Sequence, residues 1–312
     1  MTLKKTSLSR RAALVGGASL PLAATLAPTL ASAGGHGETP ARSDTHRRFT
    51  LGAFEVTVVL AGTRTVTDDP QGTFGMNVDS DTFAAASAEH FIPADRFQAF
   101  FNPTVVKTGS ETILFDTGLG GEAIAGVLAT AGFSSDDIDT VVLTHMHGDH
   151  IGGLMTEGAP TFANARYVAG EAEYAYWTGQ ENERVAGNVT PLAEKTEFVG
   201  DGHSVASGVT SMAAFGHTPG HMVYMLDSEG EQLLITADLA NHHVWSLAYP
   251  DWEVRFDIEK DAAAAARRRV LGMLAADRIP FIGYHMPFPG VGFVDTRGDG
   301  FHFVPETYQL TV

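Results

Sequence analysis

The sequence predicts an α/β fold, and two observations support this class. Short apolar segments that suit buried strands alternate with segments that suit helices, as in the succession of 112–115, 122–131 and 138–143. Several apolar segments also end directly at a histidine or an aspartate. Because polar residues on loops at strand ends are held by a rigid sheet, this pattern predicts one functional site along the sheet edge.

The N-terminal 33 residues have the features of an export signal. Arg10 and Arg11 precede a weakly apolar stretch that ends in Ala31-Ser32-Ala33, a small-residue cleavage pattern. The paired arginines favour a twin-arginine signal over an ordinary secretory signal, which is the alternative interpretation. We therefore expect residues 1–33 to be removed by cleavage near Ala33 and the protein to be periplasmic or secreted.

Residues 34–48 are rich in glycine, histidine, proline and charge and are expected to form a linker. The segment that follows, 49–312, is long enough for one large domain or two small ones. No apolar run after the expected signal reaches the length of about 18 residues that a membrane span needs. We therefore expect no membrane span after processing.

Composition excludes several partners and chemistries. The chain has 20 basic and 37 acidic residues and a formal net charge of -17. After Ala33, 16 basic residues remain against all 37 acidic ones, which brings the charge near -21. Such a surface repels phosphate backbones, so we expect no nucleic-acid partner. The chain has no cysteine, which rules out disulfides and thiolate ligands.

The first part of the domain is expected to supply strands, a long insert and a helix. Alternation over 49–66 predicts a strand pair, and 104–108 with 112–115 predicts a hairpin. Residues 68–102 are expected to form an irregular insert, which carries six phenylalanines, among them Phe91 and Phe100. Two interpretations of the insert stay open: a lid over an apolar substrate pocket, or a flap on its own core or at a homodimer contact.

The second part continues the same alternation. Helices are expected at 170–177 and 258–276, while 178–192 is polar and unassigned. The run Arg267-Arg268-Arg269 is interpreted as a solvated face of the second helix. Strands are expected at 163–168, 209–215, 222–226, 232–236, 280–284, 291–294 and 301–304.

Metal-binding chemistry is concentrated directly after the strand at 138–143. Six consecutive positions there contain His145, His147, Asp149 and His150. Imidazole and carboxylate together suit zinc and similar divalent metals, and a chance polar turn is the weaker alternative. Other strand ends carry His217, Asp238 and His285, as well as Asp116. Five histidines and two aspartates are close to what two adjacent metals require with positions left open for water.

The order of these motifs resembles the metallo-β-lactamase superfamily over roughly 49–305. The resemblance is carried by Phe115-Asp116-Thr117-Gly118, the His-x-His-x-Asp-His motif, Gly216-His217-Thr218-Pro219-Gly220-His221, Asp238 and His285. Within that superfamily the sequence is most similar to methyl parathion hydrolase-like and N-acyl homoserine lactonase-like members. The segments that look like the first group are Ile151-Gly152-Gly153-Leu154-Met155, Met286-Pro287-Phe288-Pro289-Gly290-Val291-Gly292 and Phe301-His302-Phe303-Val304-Pro305.

The resemblance implies an αββα sandwich, two mixed sheets flanked by helices, as one catalytic domain over 49–312. It also implies a role for each matching residue. A first metal would be held by His145, His147 and His217, a second by Asp149, His150 and His285, and Asp238 would bridge them. Asp116 would steady the histidine loop, and His221 is expected to be structural. Trp177 is expected in the pocket wall together with Phe91, Phe100 and His243, although His242 and His243 could instead be a surface pair.

The implied function is an exported dinuclear hydrolase. Two divalent ions, zinc by default with manganese, cobalt or iron as alternatives, would lie about 3.5–4 Å apart and hold a bridging hydroxide. The hydroxide would attack a small apolar substrate, and Asp149 would help to pass a proton to the leaving group. Lactones and carboxyl or aryl esters are the leading substrates, and a phosphotriester is the alternative. A β-lactamase, a thioesterase and a metal-binding scaffold without turnover rank lower.

Overall fold

A computed structural model describes residues 45–306, all of which belong to one structural unit, Pro40–Val312. The expected signal at 1–33 and most of the expected linker lie outside the described residues. The first nine strands are β1 (His46–Leu51), β2 (Phe54–Val59), β3 (Gly62–Val66), β4 (Phe97–Phe101), β5 (Thr104–Lys107), β6 (Thr112–Phe115), β7 (Thr140–Leu143), β8 (Met155–Thr156) and β9 (Ala159–Pro160). The strands that follow are β10 (Arg166–Gly170), β11 (Thr196–Val199), β12 (Ser204–Ala206), β13 (Val209–Ala213), β14 (Met222–Ser228), β15 (Glu231–Ala237), β16 (Phe281–Gly283), β17 (Val291–Arg297) and β18 (Gly300–Pro305).

Helices connect and cover these strands. They are α1 (Gln71–Phe74), α2 (Ser80–Glu89), α3 (Gly121–Thr130), α4 (Gly148–Ile151), α5 (Glu171–Thr178), α6 (Glu183–Asn188), α7 (Trp245–Ala248) and α8 (Lys260–Asp277). Short 3-10 turns occur at Ser135–Asp137 and Thr190–Lys195. Within the described residues, no helix is both long enough and apolar enough to cross a bilayer.

Two seven-stranded sheets form the centre of the fold. The first has the order β1-β2-β5-β6-β7-β10-β11, and the second has the order β12-β13-β14-β15-β16-β17-β18. Both sheets are mixed, because β6, β7, β10 and β11 run parallel in the first and β15 runs parallel to β16 in the second. Two mixed sheets with flanking helices confirm the α/β sandwich that the sequence predicts.

Strand alternation divides the core into layers. In β7, Val142 packs in one apolar cluster with Phe115 of the same sheet and with Tyr224 of the second sheet. The flanking residues Val141 and Leu143 point the other way, into a cluster that includes residues of α3. A third cluster joins the outer face of the second sheet to α8. Buried strands with apolar residues on both faces are what a four-layer αββα arrangement requires.

The prediction that 68–102 is an irregular insert is wrong, because most of this stretch forms regular secondary structure. Asp79 caps α2 by accepting a hydrogen bond from the Thr82 backbone N–H at 2.7 Å. Phe83 of α2 packs on Trp245 with ring centroids 4.8 Å apart, and β4 pairs with β3 as a separate two-stranded ribbon. The insert therefore packs with residues 244–254 in a separate apolar cluster, as the flap interpretation expects. Its residues Phe97 and Phe101 also line a cavity, as the lid interpretation expects.

The interpretation of the arginine run as a solvated face is wrong for its first member. Arg267 is only 1% exposed, and its guanidinium donates to Asp257 Oδ2 at 2.7 Å and to the carbonyl of Pro250 at 2.8 Å. Arg268 is partly exposed and pairs with Asp251 at the surface. Because α8 packs one face on the second sheet, every third or fourth position of the helix turns inward, and Arg267 occupies one of these positions.

Smaller differences concern element boundaries. The stretch 49–66 contains parts of three strands rather than a pair, and β1 begins at His46, within the stretch expected to be linker. The short helix α4, which no pattern predicted, starts at Gly148 and includes Asp149 and His150 of the histidine motif. The unassigned stretch 178–192 contains α6, which Asn182 caps.

Candidate metal centre

Loops at one edge of the two sheets bring the expected residues together. Asp116 follows β6, and the loop after β7 carries His145 and His147. In the second sheet, Asp238 follows β15 and His285 follows β16. Since β6 runs parallel to β7 and β15 runs parallel to β16, the carboxyl ends of each pair meet at the same edge.

Three imidazole nitrogens form the first donor group. His145 Nε2 lies 3.1 Å from His147 Nδ1 and 3.2 Å from His217 Nε2, and the latter two atoms are 3.0 Å apart. Asp238 Oδ2 lies 3.3 Å from His217 Nε2. Each of these four residues offers one ligand atom, and the atoms all lie within 4.8 Å of one another, so the group could hold one metal ion.

Asp149, His150 and His285 form the second donor group, and their ligand atoms also lie within 4.8 Å of one another. Asp149 Oδ2 lies 3.7 Å from His150 Nε2 and 3.4 Å from His285 Nε2. Asp238 connects the two groups, because its Oδ1 is 3.1 Å from His150 Nε2 while its Oδ2 is 3.1 Å from His285 Nε2. Asp238 is thus placed where a carboxylate could bridge two cations.

The ring nitrogens that do not face the donor groups are held by hydrogen bonds. His217 Nδ1 lies 2.9 Å from Asp257 Oδ1, and His150 Nδ1 lies 2.8 Å from Asp116 Oδ2. His285 Nδ1 lies 2.8 Å from the carbonyl oxygen of Phe100 and donates to it. Such contacts orient an imidazole and increase its basicity towards a metal.

Asp116 and His221 support the loops from behind. Asp116, in the left-handed region at φ 60°, accepts hydrogen bonds from the backbone N–H and the hydroxyl of Thr144, both at 2.9 Å. His221 lies outside both donor groups: its Nε2 accepts from the Asp238 backbone N–H at 3.2 Å, and its Nδ1 donates to the Ala214 carbonyl at 3.1 Å. These positions agree with the supporting roles that the resemblance implies.

The electrostatics of the two groups favour a cation. Burial lowers the pKa of His145 well below its usual range and lowers that of His147 to about 3, with the neighbouring histidines adding to the effect. Burial opposes the ionisation of Asp238, yet its pKa is held well below the usual range by His285, His150 and His145. Burial acts against ionisation of His150, His217 and His285 as well, yet nearby carboxylates raise the pKa of all three, that of His217 to about 9. Metal ligation requires neutral imidazoles, so binding of a cation by these three would release protons.

Two buried atoms without a hydrogen bond support the same conclusion. His150 Nε2 and Asp238 Oδ1 lie 3.1 Å apart, and neither forms a hydrogen bond with any described residue. A buried polar atom without a hydrogen bond costs free energy, which a bound cation would recover. The donor set therefore fits two divalent ions, although imidazole and carboxylate do not specify which metal.

A cavity of about 310 Å³ opens above these donors. Its floor includes His147, Asp149, Asp238 and His285. Its walls are mostly apolar and also contain two arginines; they are formed by Arg64, Phe74, Phe97, Ala99, Phe101, Leu119, Arg184 and Phe256 together with Gly148 and Asn241. An apolar pocket with a few convergent polar groups is the usual form of a small-molecule site.

The four residues expected in the pocket wall are placed elsewhere. Phe91 is 96% exposed at the end of α2. Phe100 and His243 line a neighbouring cavity of about 300 Å³, because alternate residues of β4 face opposite sides of the ribbon. Trp177 does not line the pocket, but its ring lies 5.6 Å from that of His147 and its indole N–H donates to Glu173. His242 stacks on Trp245.

The sequence analysis missed two buried groups that support the centre. Glu173 accepts hydrogen bonds from the Met146 N–H at 2.8 Å and from the Thr218 hydroxyl at 2.6 Å, so it joins both histidine loops. Asp257 joins His217 to the buried Arg267. The four-residue spacing of Glu173 and Trp177 on a predicted helix indicates that they touch, but no local signal indicates the contacts with distant loops.

Comparison with known proteins agrees with this architecture. The Metallo-beta-lactamase superfamily description matches residues 101–281, more than half of the chain. A probable metallo-hydrolase of Bacillus subtilis, YybB, is 32% identical over 141 residues, which are 43% of this chain and 59% of that protein. An N-acyl homoserine lactonase of a Bacillus species is 30% identical over 118 residues, 38% of this chain and 44% of the relative. The chain thus aligns with roughly half the length of these relatives.

Among solved structures, the dizinc quorum-quenching lactonase AidC in complex with a product superposes with a TM-score of 0.77. The match has 27% sequence identity and covers 85% of this chain and 99% of AidC. The matched region of the family contains every residue of the two donor groups except His285, which lies just beyond it. With two mixed sheets, His-x-His-x-Asp-His at a strand end and a family match over most of the sandwich, the chain belongs to the metallo-beta-lactamase superfamily.

Proposed function

We propose that the protein is a hydrolase with two divalent metal ions, zinc by default, that cleaves lactones or carboxyl and aryl esters. The observation that carries the proposal is the pair of donor groups joined by Asp238 on the floor of an apolar cavity. His145, His147 and His217 would hold one ion, Asp149, His150 and His285 the other, and Asp238 both. Two bound ions would activate water for attack and polarise the substrate oxygen.

Substrate binding and proton transfer would depend on side chains that line the cavity. Phe74, Phe97 and Phe101 would hold the apolar part of the substrate and exclude bulk water. Asp149 is partly exposed to the cavity, so its carboxylate could take a proton and pass it to the leaving group. The hydroxyl of Tyr284 donates to the Asp149 carbonyl and would fix the position of that residue.

The choice of substrate class draws on the relatives. AidC is a lactonase, and one Bacillus relative is an N-acyl homoserine lactonase. A lactone is a cyclic ester, and its hydrolysis needs the same activated water and the same polarised carbonyl as an open ester. Hydrolysis of a phosphotriester would need the same activated water, with the phosphoryl oxygen polarised instead of a carbonyl. A phosphotriester is therefore included in the test as the alternative substrate.

The test is a comparison of rates on three substrates with metal-loaded protein: an acyl homoserine lactone, an aryl ester and a phosphotriester. We expect turnover of the lactone or the ester and about two metals per chain by elemental analysis. His147→Ala should abolish turnover, whereas His203→Ala, an exposed histidine that pairs with Glu197, should retain it. A metal-loaded sample that is inert on all three substrates would rule out the hydrolase proposal.

We propose further that the protein is exported through a twin-arginine signal, which rests on the sequence of residues 1–33 alone. N-terminal sequencing of protein from the periplasm or medium should find a chain that starts close to Gly34. Replacing both Arg10 and Arg11 by lysine should retain the precursor inside the cell. An unprocessed chain in the exported fraction would contradict the proposal.

A further inference from the structure

Most arginine side chains in the described part of the chain have hydrogen-bond or ion-pair partners. Twelve arginines lie between residues 45 and 306. Nine of the twelve form hydrogen bonds or ion pairs with carboxylates, hydroxyls or carbonyl groups; they are Arg47, Arg48, Arg96, Arg166, Arg255, Arg267, Arg268, Arg269 and Arg297. Among the described residues, the guanidinium groups of Arg64, Arg184 and Arg278 have no hydrogen bond or ion pair. Two of these three, Arg64 and Arg184, line the cavity above the donor groups.

Arg64 reaches the cavity from the ribbon of β3 and β4. It pairs with Ala99 in the register of the ribbon, and Phe97, Ala99 and Phe101 line the same cavity. The alternate residues Gln98 and Phe100 line the neighbouring cavity instead. The side of β3 that carries Arg64 therefore faces the floor of donor groups, with apolar rings beside it.

Arg184 approaches from α6, a different part of the chain. A Cβ added to Gly148 would lie 2.2 Å from Arg184 Nη1, so the lack of a side chain at Gly148 gives the guanidinium its place. Gly148 lies between His147 and Asp149 in the metal-binding motif. The positive charge of Arg184 is thus held directly over the loop that supplies both donor groups.

The charges around the two arginines leave them free to bind an anion. The carboxylates among the residues that line the cavity are Asp149 and Asp238, and both belong to the donor groups. Neither forms an ion pair with Arg64 or Arg184 within the described residues, although the chain as a whole carries a formal charge of -17. Two unpaired guanidinium groups in an acidic protein form a local site that suits carboxylate or phosphate.

We infer that Arg64 and Arg184 select substrates that carry an anionic group, a carboxylate or a phosphate, remote from the bond that is cleaved. The inference rests on the proposed hydrolase function and narrows its substrate class. The apolar rings hold the middle of such a substrate, the scissile ester or lactone lies over the donor groups, and the anion meets the arginines at the cavity wall.

A matched pair of esters tests this inference by kinetics. Para-nitrophenyl valerate and mono-para-nitrophenyl glutarate have acyl chains of the same length, which end in a methyl group and in a carboxylate respectively. We expect the wild-type protein to prefer the glutarate in kcat/KM by about tenfold, as charge-assisted hydrogen bonds to two arginines would give. The double variant Arg64→Gln/Arg184→Gln should lose this preference.

Arg278→Gln is the control, because Arg278 is the third unpaired arginine and lies far along the chain at the end of α8. It should retain the wild-type ratio of the two rates. Added salt should lower the ratio in the wild type and in Arg278→Gln but not in the double variant, since ionic strength screens exposed charges. A wild-type ratio near one, or a ratio that survives in the double variant, would overturn the inference.

If neither ester is hydrolysed, that result counts against the proposed function alone. A binding measurement then still decides the inference about the two arginines. Calorimetric titration of metal-loaded protein with phenylacetate, benzylphosphonate and neutral phenylacetamide compares two anions with an uncharged analogue. We expect the Kd of at least one anion to rise about tenfold in the double variant and to stay unchanged in Arg278→Gln. The anion with the larger rise identifies carboxylate or phosphate as the preferred group. If each anion has the same Kd in the wild type, the double variant and Arg278→Gln, the metals alone bind the anion, and the inference is overturned.

Discussion

His217 shows how a buried contact extends the metal centre into the protein. Its Nδ1 bonds to Asp257 Oδ1, and Asp257 Oδ2 in turn accepts from Arg267 at 2.7 Å. All three side chains are almost fully buried. A buried carboxylate that balances a buried guanidinium and orients an imidazole serves stability and metal binding at once.

Replacing Asp257 by asparagine should impair both properties. The amide keeps the size of the side chain but removes the charge that balances Arg267, so the free energy of unfolding should fall by about 3–5 kcal/mol. Metal affinity should fall by about 10–100-fold because His217 loses its orienting partner. Urea unfolding and chelator competition measure the two effects.

Asp251→Asn is the matched control. Asp251 pairs at the protein surface with Arg268, which directly follows Arg267 in α8. An exposed pair contributes only about 0–1 kcal/mol, so this variant should lose little stability and no metal affinity. Equal losses in the two variants would mean that Asp257 has no particular role beside His217.

At the scale of elements, α5 is the part that aligns the histidine loops. Glu173 in its first turn is 1% exposed, although a lone glutamate is rarely so buried. Its Oε1 accepts from the Met146 N–H and the Trp177 indole, and its Oε2 accepts from the Thr218 hydroxyl and the Gly220 N–H. Four hydrogen bonds compensate for the burial of the carboxylate.

Glu173→Gln should therefore disturb both loops. A glutamine nitrogen cannot accept a hydrogen bond, so donors that one carboxylate oxygen now satisfies would be left buried and unpaired, at a cost of about 1–3 kcal/mol for each. We expect lower stability to urea and a lower kcat/KM even at saturating metal. The control is Glu171→Gln, an exposed glutamate in the same helical turn, which should change neither. Unaltered kinetics in Glu173→Gln would contradict the role of α5 in aligning the histidine loops.

The turn before His217 depends on the close approach of α8. Gly216 has φ 128°, and a Cβ at this position would lie 2.0 Å from the backbone nitrogen of Ala263. The backbone N–H groups of Ile258 and Glu259 donate to the carbonyls of His217 and Gly216. The start of α8 is therefore packed directly on the loop that carries His217, a proposed metal ligand.

Gly216→Ala should push that loop and α8 apart. Gly230 offers a control for backbone strain, because it has φ 86° but no atom within 4 Å of an added Cβ. We expect Gly230→Ala to cost about 1–2 kcal/mol from strain alone. Gly216→Ala should cost about 1–3 kcal/mol more from the clash and should weaken metal binding as well. Thermal unfolding and metal titration of both variants check this, and equal losses would contradict the packing argument.

For the whole molecule, the donor groups join the two sheets. His145, His147, Asp149 and His150 come from loops of the first sheet, and His217, Asp238 and His285 come from loops of the second. A cation held by both sets would link the two halves of the sandwich in the folded state only. Binding to the folded state alone stabilises a protein by mass action.

Removing metal should consequently lower the thermal stability. If free metal exceeds its Kd by about a thousandfold, the loss amounts to about 4 kcal/mol. Calorimetry of the protein with and without a chelator should show a lower Tm after chelation, and re-added zinc should restore it. In Asp238→Ala, which lacks the residue shared by both groups, the chelator should change the Tm much less. An unchanged wild-type Tm after verified metal loss would mean that the ions do not hold the sheets together.

The order of the residues along the chain is enough to predict the fold class, the metal-binding chemistry of the site and the members of the two donor groups. The His-x-His-x-Asp-His motif is local, and Asp238 and His285 are recognisable because each directly follows an apolar strand. The ends of parallel strands meet at one edge of a sheet, so strand order is enough to predict that these residues converge.

The wall of the pocket and the contacts behind the proposed ligands depend instead on how distant parts of the chain pack. Whether Phe101 or Phe100 lines the cavity above the donor groups depends on the register of β4, and a shift by one residue would exchange them. The burial of Arg267 and the contacts of Glu173 depend on how helices pack on distant loops. Such contacts join residues far apart in the chain, and their geometry is set by packing rather than by local pattern.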